Sequence, residues 1–232
     1  MEQKRGIFYG VSIGPGDPEL LTLKAVRLLE RTQVIAAPQT RSGAMLAYDI
    51  ARQAVDLSDK TVVPLYFTME RGEEKQRAAH ETAAETVARY LDAGQDVAML
   101  NLGDVSIYAT YSYLMEILNE RGYVTQMIPG VPSFCACAAR LGISLTEMHE
   151  PLHIAPGSVE IEPVLNQSGT KILMKSGKQL PKVLHALDEA GVREHSAMVR
   201  SCGLPDEAVY PNLAAFPDGE QAGYFATIVV KE

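Results

Sequence analysis

Ile7-Phe-Tyr-Gly-Val-Ser-Ile13 is followed by Gly14-Pro15-Gly16-Asp17-Pro18, and helical spacing of apolar residues begins after Thr22. The first run is rich in β-forming residues, and the glycines and prolines interrupt it. Thr22 has the side chain of a helix N-cap. The stretch therefore predicts a strand, a tight turn and a helix, which together form the opening unit of an α/β fold.

The same alternation continues along the chain. We predict strands at 7–13, 34–37, 61–64, 96–102 and 124–128, and helices that begin after Thr22 and span 43–55, 73–93, 108–121 and 133–141. Pro38 is expected to end the second strand. Later strands are predicted at 152–155, 171–175, 197–200, 208–210 and 224–231, with a helix at 179–190 and an irregular acidic stretch at 157–168.

This pattern predicts two α/β domains. Residues 1–125 are expected to hold a mostly parallel sheet, because long helical patterns separate the strands there. Residues 126–232 are expected to hold a mixed, partly antiparallel sheet. The length of 232 residues suits two domains of this size.

The composition excludes several classes of protein. The chain is 47% hydrophobic and 22% charged, with a net charge of −8 and no Lys/Arg run long enough to bind nucleic acid, so we expect no nucleic-acid partner. No apolar run approaches the ~20 residues of a membrane span, and the start does not look like a signal peptide. Three cysteines argue against a disulfide framework. We therefore expect a cytoplasmic protein with no membrane association.

Two further loops after predicted strands have the composition of ligand-binding turns: Gly103-Asp-Val-Ser-Ile-Tyr-Ala-Thr110 and Pro129-Gly-Val-Pro-Ser133. Glycines let a backbone approach a ligand, and ligands bind beyond the carboxyl ends of strands in α/β sheets. Each loop has a structural alternative. These are a plain turn at 14–18, an Asp104 that caps the next helix, and tight packing of the small residues after Ser133. The first loop has neither a dinucleotide fingerprint nor a P-loop.

In this order and spacing, the three motifs resemble the tetrapyrrole methylases of the corrin and sirohaem pathways. The Leu141-Gly-Ile-Ser-Leu145 tail and the last strand, in Gly223–Lys231, extend the resemblance over essentially the whole chain. The resemblance implies two α/β domains with S-adenosylmethionine in the cleft between them. It also implies a tetrapyrrole trough beside that cleft, and a homodimer.

The resemblance also implies the residues of the site. The expected cofactor contacts are Pro15, Gly103, Asp104, Ile107, Tyr108, Pro132, Ser133, Met174, Lys175, Cys202 and Gly203. Pro132 departs from the family's usual hydroxyl residue, and Ser133 is the candidate replacement. The register stays open between Met174 and Lys175, and between Cys202 and Gly203 for a backbone contact to the adenine. On the substrate side we expect Gly14, Gly16, Asp17 and Arg41, and Lys175 is a second candidate partner for substrate carboxylates.

Within the family, Gly103–Tyr111, Pro132–Phe134 and Ile172–Lys175 resemble the branch that methylates C-20 of precorrin-2 or of its cobalt form. The alternatives are methylation at C-11, C-17 or uroporphyrinogen III, or of a protein histidine derivative, and a relative that binds the cofactor without turnover. The reaction would be attack of a carbon nucleophile on the sulfonium methyl, for which alignment supplies ~7–11 kcal/mol. We assign no catalytic base, and the sequence leaves open whether the substrate carries cobalt.

Other conspicuous residues have structural interpretations. Pro151 lies between His149 and His153, which argues against a helical metal pair. Cys135 and Cys137 point to different faces of their predicted helix. The stripe of Tyr108, Tyr111, Met115 and Leu118 is expected to form core or dimer contacts and not a cofactor site, with Tyr108 as the exception nearest the site. We predict no protein-bound metal, so any cobalt would belong to the substrate.

Overall fold

The computed structural model describes residues 4–68, 72–217, 219–220 and 223–231, with Lys178 described by its backbone alone. The chain forms two compact units, Met1–Pro132 and Ser133–Glu232, and each contains a five-stranded sheet. The boundary expected between 125 and 126 falls inside a strand, Val124–Ile128, that pairs with Ile7–Ser12 of the first sheet. The division therefore comes after the turn that follows this strand.

The first unit is a parallel α/β domain, as predicted. Its strands are β1 (Ile7–Ser12), β2 (Val34–Gln39), β3 (Thr61–Tyr66), β4 (Val97–Asn101) and β5 (Val124–Ile128), in the order β3-β2-β4-β1-β5. Four helices alternate with them: α1 (Leu23–Arg31), α2 (Leu46–Ala54), α3 (Glu73–Asp92) and α4 (Tyr111–Glu120). All pairings are parallel, since a helix carries the chain back between successive strands.

The predicted start of α1 is confirmed. The Thr22 hydroxyl accepts a hydrogen bond from the Ala25 backbone N–H at 3.2 Å, which satisfies one of the free donors at the helix start. The prediction for Pro38 was wrong, because β2 continues through it to Gln39. Pairing of β2 with β4 stops at Ala36, so a residue without an N–H at position 38 interrupts no bond on that side.

One core cluster of the first unit lies between its sheet and the pair α3 and α4. Tyr111 is at its centre: the ring is fully buried, packs 4.8 Å from the Phe8 ring, and its hydroxyl donates to the Phe8 carbonyl at 3.0 Å. Gly10 leaves room for this ring, since a Cβ there would lie 2.7 Å from it. Leu118 is buried and Met115 packs against the same cluster, so the predicted packing stripe is confirmed for these three residues.

The predicted start of α4 at Tyr108 was wrong. Tyr108 has a φ of 49°, in the left-handed region, and the helix begins only at Tyr111. A left-handed residue cannot continue into a right-handed helix, and its side chain lies outside the stripe that packs on the sheet. Tyr108 is 43% exposed and lies within the loop that follows β4.

The second unit has the predicted mixed sheet, in the order β6-β7-β10-β8-β9. Its elements are α5 (Ser133–Leu141), β6 (Leu152–Pro156), α6 (Glu162–Leu165), β7 (Thr170–Met174), α7 (Leu180–Glu189), β8 (Ser196–Arg200), β9 (Ala208–Tyr210) and β10 (Ala226–Val230). Among the described strand pairs of this unit, β6 and β7 are parallel and the others are antiparallel. The stretch expected to be irregular, 157–168, contains the one-turn helix α6, which buries Leu165. Within the described ranges, no helix is long and apolar enough to cross a membrane.

Candidate functional site

The first unit has a topological switch point between β1 and β4. From β1 the chain moves to β2 and β3 on one side of the sheet, and from β4 it moves to β5 on the other. Ligands of open α/β sheets bind in the crevice beyond the carboxyl ends of such strands. The loops at 14–18 and 103–110 leave the sheet at this point. They are joined there, because the Gly103 N–H donates to the Gly14 carbonyl at 2.8 Å.

The third loop, after β5, joins the other two. The Gly130 N–H donates to Asp104 Oδ2 at 2.7 Å. Gly130 also lies against the end of β1, where an added Cβ would come 2.4 Å from the Ser12 Cβ. The Ser12 hydroxyl in turn accepts from the Val105 N–H at 2.8 Å. The three motifs therefore form one cluster of loops at the carboxyl edge of the first sheet.

Asp104 is the residue that holds this cluster together. Asp104 as a whole residue is 8% exposed, and its Oδ1 accepts from both the N–H and the hydroxyl of Ser106, at 2.8 and 2.5 Å. Burial acts to raise the pKa of this carboxyl, but the hydrogen bonds from Gly130 and Ser106 outweigh it and leave the pKa below its ordinary value. The alternative in which Asp104 caps the next helix was wrong, because α4 begins at Tyr111 with Thr110 as its N-cap. Both Asp104 oxygens instead bind the protein's own donors in the turn after β4 and in the loop after β5.

The remaining predicted residues of the first unit lie at or near the same edge. Gly14 is buried with a φ of 74°, and Asp17 accepts from the Glu19 N–H at 2.8 Å, which fixes the end of the first loop. Ile107 is half-buried and closes the turn after Asp104. Arg41 follows β2, the neighbour of β4, and is exposed. Pro15, Gly16 and Pro132 complete the group, with Gly16 buried and the two prolines half-buried.

The second unit has a corresponding edge. Strands β7 and β8 both run antiparallel to β10, and β6 runs parallel to β7, so the carboxyl ends of β6, β7 and β8 share one edge. Lys175 directly after β7 and Ser201 directly after β8 have φ values of 55° and 50°. Left-handed conformations cost energy for residues with a side chain and cluster at binding sites. The predicted contacts Met174, Lys175, Cys202 and Gly203 all lie here.

Glu207 fixes the loop after β8, although no motif in the sequence indicated a role for it. Its carboxylate accepts from the Gly203 N–H at 2.8 Å and from Arg140 Nε on α5 at 2.7 Å. Burial acts to raise the pKa of Glu207, but these donors lower it overall. Since the Gly203 N–H is occupied, a backbone contact at this position has the Cys202 N–H or a carbonyl oxygen to use. No local pattern joins Arg140 to Glu207, because 67 positions separate them.

The cysteines and histidines that we interpreted as structural residues have positions that agree with this interpretation. Cys135 is exposed and Cys137 buried on α5, as their spacing predicted. The Cys137 thiol is hydrogen-bonded to Cys202, and this bond together with burial raises its pKa. His153 lies in β6 with Nε2 3.0 Å from the Ser168 carbonyl, and His149 lies outside helices and strands. Among the described residues, no three His, Cys, Asp or Glu side chains are grouped to hold a metal.

Comparison with known proteins identifies the family. The sequence model of the tetrapyrrole (corrin/porphyrin) methylases matches residues 8–216. The chain belongs to this family. Tetrapyrrole methylases are S-adenosylmethionine-dependent methyltransferases, so the loops at the switch point belong to a methyltransferase.

Individual members of the family agree along most of the chain. The protein named probable cobalt-precorrin-2 C(20)-methyltransferase of Methanocaldococcus jannaschii is 36% identical, over 72% of this chain and 71% of its own. The precorrin-2 C(20)-methyltransferase of a Sinorhizobium species is 33% identical, over 97% of this chain and 95% of its own. The fold matches uroporphyrin-III C-methyltransferase of Thermus thermophilus, solved with S-adenyl homocysteine, at a TM-score of 0.72 and 22% identity, over 98% of this chain and 92% of that one.

Proposed function

We propose that this methyltransferase transfers a methyl group from S-adenosylmethionine to C-20 of precorrin-2 or of cobalt-precorrin-2, in cobalamin biosynthesis. The observation that carries the proposal is a relative named precorrin-2 C(20)-methyltransferase that matches 97% of the chain. Two segments resemble the C-20 branch. Gly103–Tyr111 lies at the switch-point edge of the first sheet, and Pro132–Phe134 lies at the start of α5. Methylation at C-11, C-17 or uroporphyrinogen III is the alternative within the family.

The predicted residues at the carboxyl edge of each sheet support the cofactor assignment. We propose contacts from Pro15, Gly103, Asp104, Ile107, Tyr108, Pro132 and Ser133 of the predicted set, and from Met174, Lys175, Cys202 and Gly203. The bound cofactor supplies an electrophilic methyl group on a sulfonium cation. Because the Asp104 carboxylate oxygens already accept bonds from Gly130 and Ser106, we assign the side chain of Asp104 to holding the loops in place and its proposed cofactor contact to its backbone. The backbone carbonyl groups of the same loops are then the acceptors that face the sulfonium cation of the cofactor.

The chain's own contribution to the reaction is alignment. A reduced tetrapyrrole presents an electron-rich bridging carbon, and attack on a methyl group requires an in-line approach. Rigid loops that hold both partners reduce the entropic cost of that approach, which is worth ~7–11 kcal/mol in well-oriented reactions. The bonds between Gly14 and Gly103 and between Asp104 and Gly130 supply this rigidity. We assign no residue as the base that removes the proton after transfer.

On the substrate side we propose Gly14, Gly16, Asp17 and Arg41. Arg41 follows β2 on the same edge as the switch point, and its guanidinium suits the carboxylates of a tetrapyrrole. The proposal covers both forms of the substrate, because one relative is named for cobalt-precorrin-2 and the other for precorrin-2. In this proposal any cobalt is part of the substrate.

The test has two steps. Calorimetry with S-adenosylmethionine and S-adenosylhomocysteine should show binding of both, and absence of binding would refute the cofactor assignment. Incubation with precorrin-2 and with cobalt-precorrin-2, followed by mass spectrometry and NMR, should then place one new methyl at C-20. A methyl at another position would overturn the C-20 proposal and leave the family unchanged. Binding of the cofactor without any methylated product would indicate a non-catalytic relative.

From the family resemblance and the composition, we also propose that the enzyme is a cytoplasmic homodimer. Light scattering of the purified chain should give twice the mass of 25.2 kDa, and cell fractionation should place it in the soluble fraction. A monomer at concentrations that support turnover would contradict the dimer.

A further inference from the structure

Two of the three cysteines of the chain meet inside the second unit. Cys137 lies on α5 and Cys202 lies two residues after β8, and their thiols are hydrogen-bonded to each other. Cys137 is 1% exposed and Cys202 is 7% exposed. The packing of α5 on β8 and β10 thus brings together two sulfur atoms that are far apart in the sequence.

One face of α5 fixes the position of Cys137. Ser133, Cys137 and Arg140 follow at spacings of four and three residues, which places them on the same face of the helix. The Ser133 hydroxyl lies 3.4 Å from the hydroxyl of Thr227 on β10, which also donates to the Cys137 sulfur. One turn later, Arg140 Nε donates to Glu207 at 2.7 Å. The helix is therefore held in place on both sides of Cys137.

The loop after β8 holds Cys202 from both flanks. Ser201 has a φ of 50°, and its hydroxyl donates to Asp206 at 2.9 Å. Gly203 has a φ of 78°, and its N–H donates to Glu207 at 2.8 Å. Because both neighbours of Cys202 are bonded within the loop, its side chain stays directed at α5.

The two thiols differ in charge state. The hydrogen bond from the Cys137 thiol lowers the pKa of the Cys202 thiol, and this effect outweighs that of burial. The same bond and burial raise the pKa of Cys137, so Cys137 keeps its proton. Thiolates are the reactive form of cysteine. Cys202, which is also the more exposed of the two, is therefore the sulfur that reacts first.

We propose that Cys137 and Cys202 are a modification site at which hydrogen peroxide forms a reversible disulfide, and that this disulfide weakens cofactor binding. The Cys202 thiolate attacks one peroxide oxygen, the O–O bond breaks, and the leaving hydroxide takes a proton from solvent. The Cys137 sulfur then attacks the resulting sulfenic acid, the S–S bond forms, and a second water leaves with the Cys137 proton. The two sulfurs lose two electrons in total, and one peroxide is reduced to two waters.

A transient disulfide suits the proposed location and the burial of the pair. Cytosolic thiols are kept reduced, and the disulfides that form there are mostly transient, catalytic or redox-sensing. Hydrogen peroxide is close to water in size, so it needs little exposed surface to reach Cys202. The exposed Cys135 lies on the other side of α5 and takes no part in the pair.

The effect on the cofactor rests on the proposed function, in which the backbone of Cys202 or Gly203 contacts the adenine. The sulfurs of a disulfide are ~2.0 Å apart, closer than two hydrogen-bonded sulfurs. Formation of the bond therefore draws the loop after β8 toward α5. This shift moves the backbone at the position proposed to contact the cofactor.

The full chain is treated with one equivalent of hydrogen peroxide, alkylated and digested, and the peptides are mapped by mass spectrometry. Affinity for S-adenosylhomocysteine is measured by calorimetry before and after treatment, and again after dithiothreitol. Uroporphyrin III, a stable porphyrin followed by fluorescence, is the second probe, and the melting temperature is recorded. The variant is Cys137→Ala, and Cys135→Ala on the same helix is the matched control.

We expect peroxide to join the Cys137 and Cys202 peptides and to leave one titratable thiol of the original three. Affinity for S-adenosylhomocysteine should fall about tenfold, within the usual range of coupling between two sites, and dithiothreitol should restore it. Affinity for uroporphyrin III should stay unchanged. Cys135→Ala should behave like the unsubstituted chain, and Cys137→Ala should form no disulfide within the chain. Cys202→Ser should also form none, and it replaces Cys137→Ala if that variant does not fold.

Several results would contradict the proposal. Free Cys137 and Cys202 after peroxide, or a disulfide formed through Cys135, would overturn the modification site. A disulfide between Cys137 and Cys202 with unchanged affinity for S-adenosylhomocysteine would overturn its effect on cofactor binding. Weaker binding of both probes with a lower melting temperature would also overturn that effect, because oxidation would then have damaged the fold. Failure of the reduced, unsubstituted chain to bind S-adenosylhomocysteine would instead refute the proposed function, while the peptide map would still decide the disulfide.

Discussion

Replacement of Asp104 by Asn tests whether one buried carboxylate organises the loops of the site. The carboxylate accepts backbone N–H groups on both oxygens, from Gly130 on Oδ2 and from Ser106 on Oδ1. An amide keeps one acceptor oxygen and turns an NH2 group toward the other N–H. One charge-assisted bond is lost, and one donor faces another donor in a site that is 8% exposed.

The expected cost follows from these contacts. Loss of a hydrogen bond to a charged group costs ~1.5–3 kcal/mol, and an unsatisfied buried donor adds ~1–3 kcal/mol, part of which local relaxation recovers. We therefore expect the free energy of unfolding to fall by about 2–4 kcal/mol. The chain contains no tryptophan, so urea unfolding is followed by circular dichroism. The control is Asp56→Asn, since Asp56 accepts from the Ser58 N–H in an exposed turn and its change should matter far less.

The pH dependence gives a second signature. The pKa of Asp104 in the folded chain lies below its ordinary value of 3.8, because the donors outweigh the effect of burial. Its contribution to stability is fully present above pH 3.8 and is lost as the pH falls from there through the folded pKa. Asp104→Asn should lose less stability than the parent chain in that window. A cost no larger than that of Asp56→Asn, with an unchanged pH profile, would refute this role for Asp104.

Three further substitutions test contacts of the fold and of the site. Gly10→Ala places a methyl group 2.7 Å from the Tyr111 ring, so we expect ~1–3 kcal/mol of destabilisation in urea unfolding, and an unchanged midpoint would contradict the close approach. Tyr111→Phe removes a buried hydroxyl that donates to backbone carbonyls and should cost about 1 kcal/mol, whereas a more stable variant would show that these bonds contribute nothing. Glu207→Gln releases Gly203 and Arg140 and should weaken S-adenosylhomocysteine binding about tenfold in calorimetry, with uroporphyrin III affinity retained. Equal cofactor affinity would mean that the loop after β8 does not depend on Glu207.

Local sequence patterns predicted most of the elements, because their signals come from neighbouring residues. The Thr22 cap, the strand β5 and the helix α5 lie where their patterns placed them. The errors occur where tertiary contacts set the backbone. Tyr108 is left-handed although it continues the apolar spacing of α4, and Pro38 lies inside β2 because one flank of that strand is unpaired there.

The sequence by itself determined the α/β alternation, the three glycine-rich and proline-rich loops and, through their order, membership of the tetrapyrrole methylases. Only the tertiary structure decided the strand order, the use of both Asp104 oxygens by Gly130 and Ser106, and the contact between Cys137 and Cys202. The reason is physical. Periodicity and capping act over a few residues, whereas a hydrogen bond between loops depends on how distant strands pair and in which register.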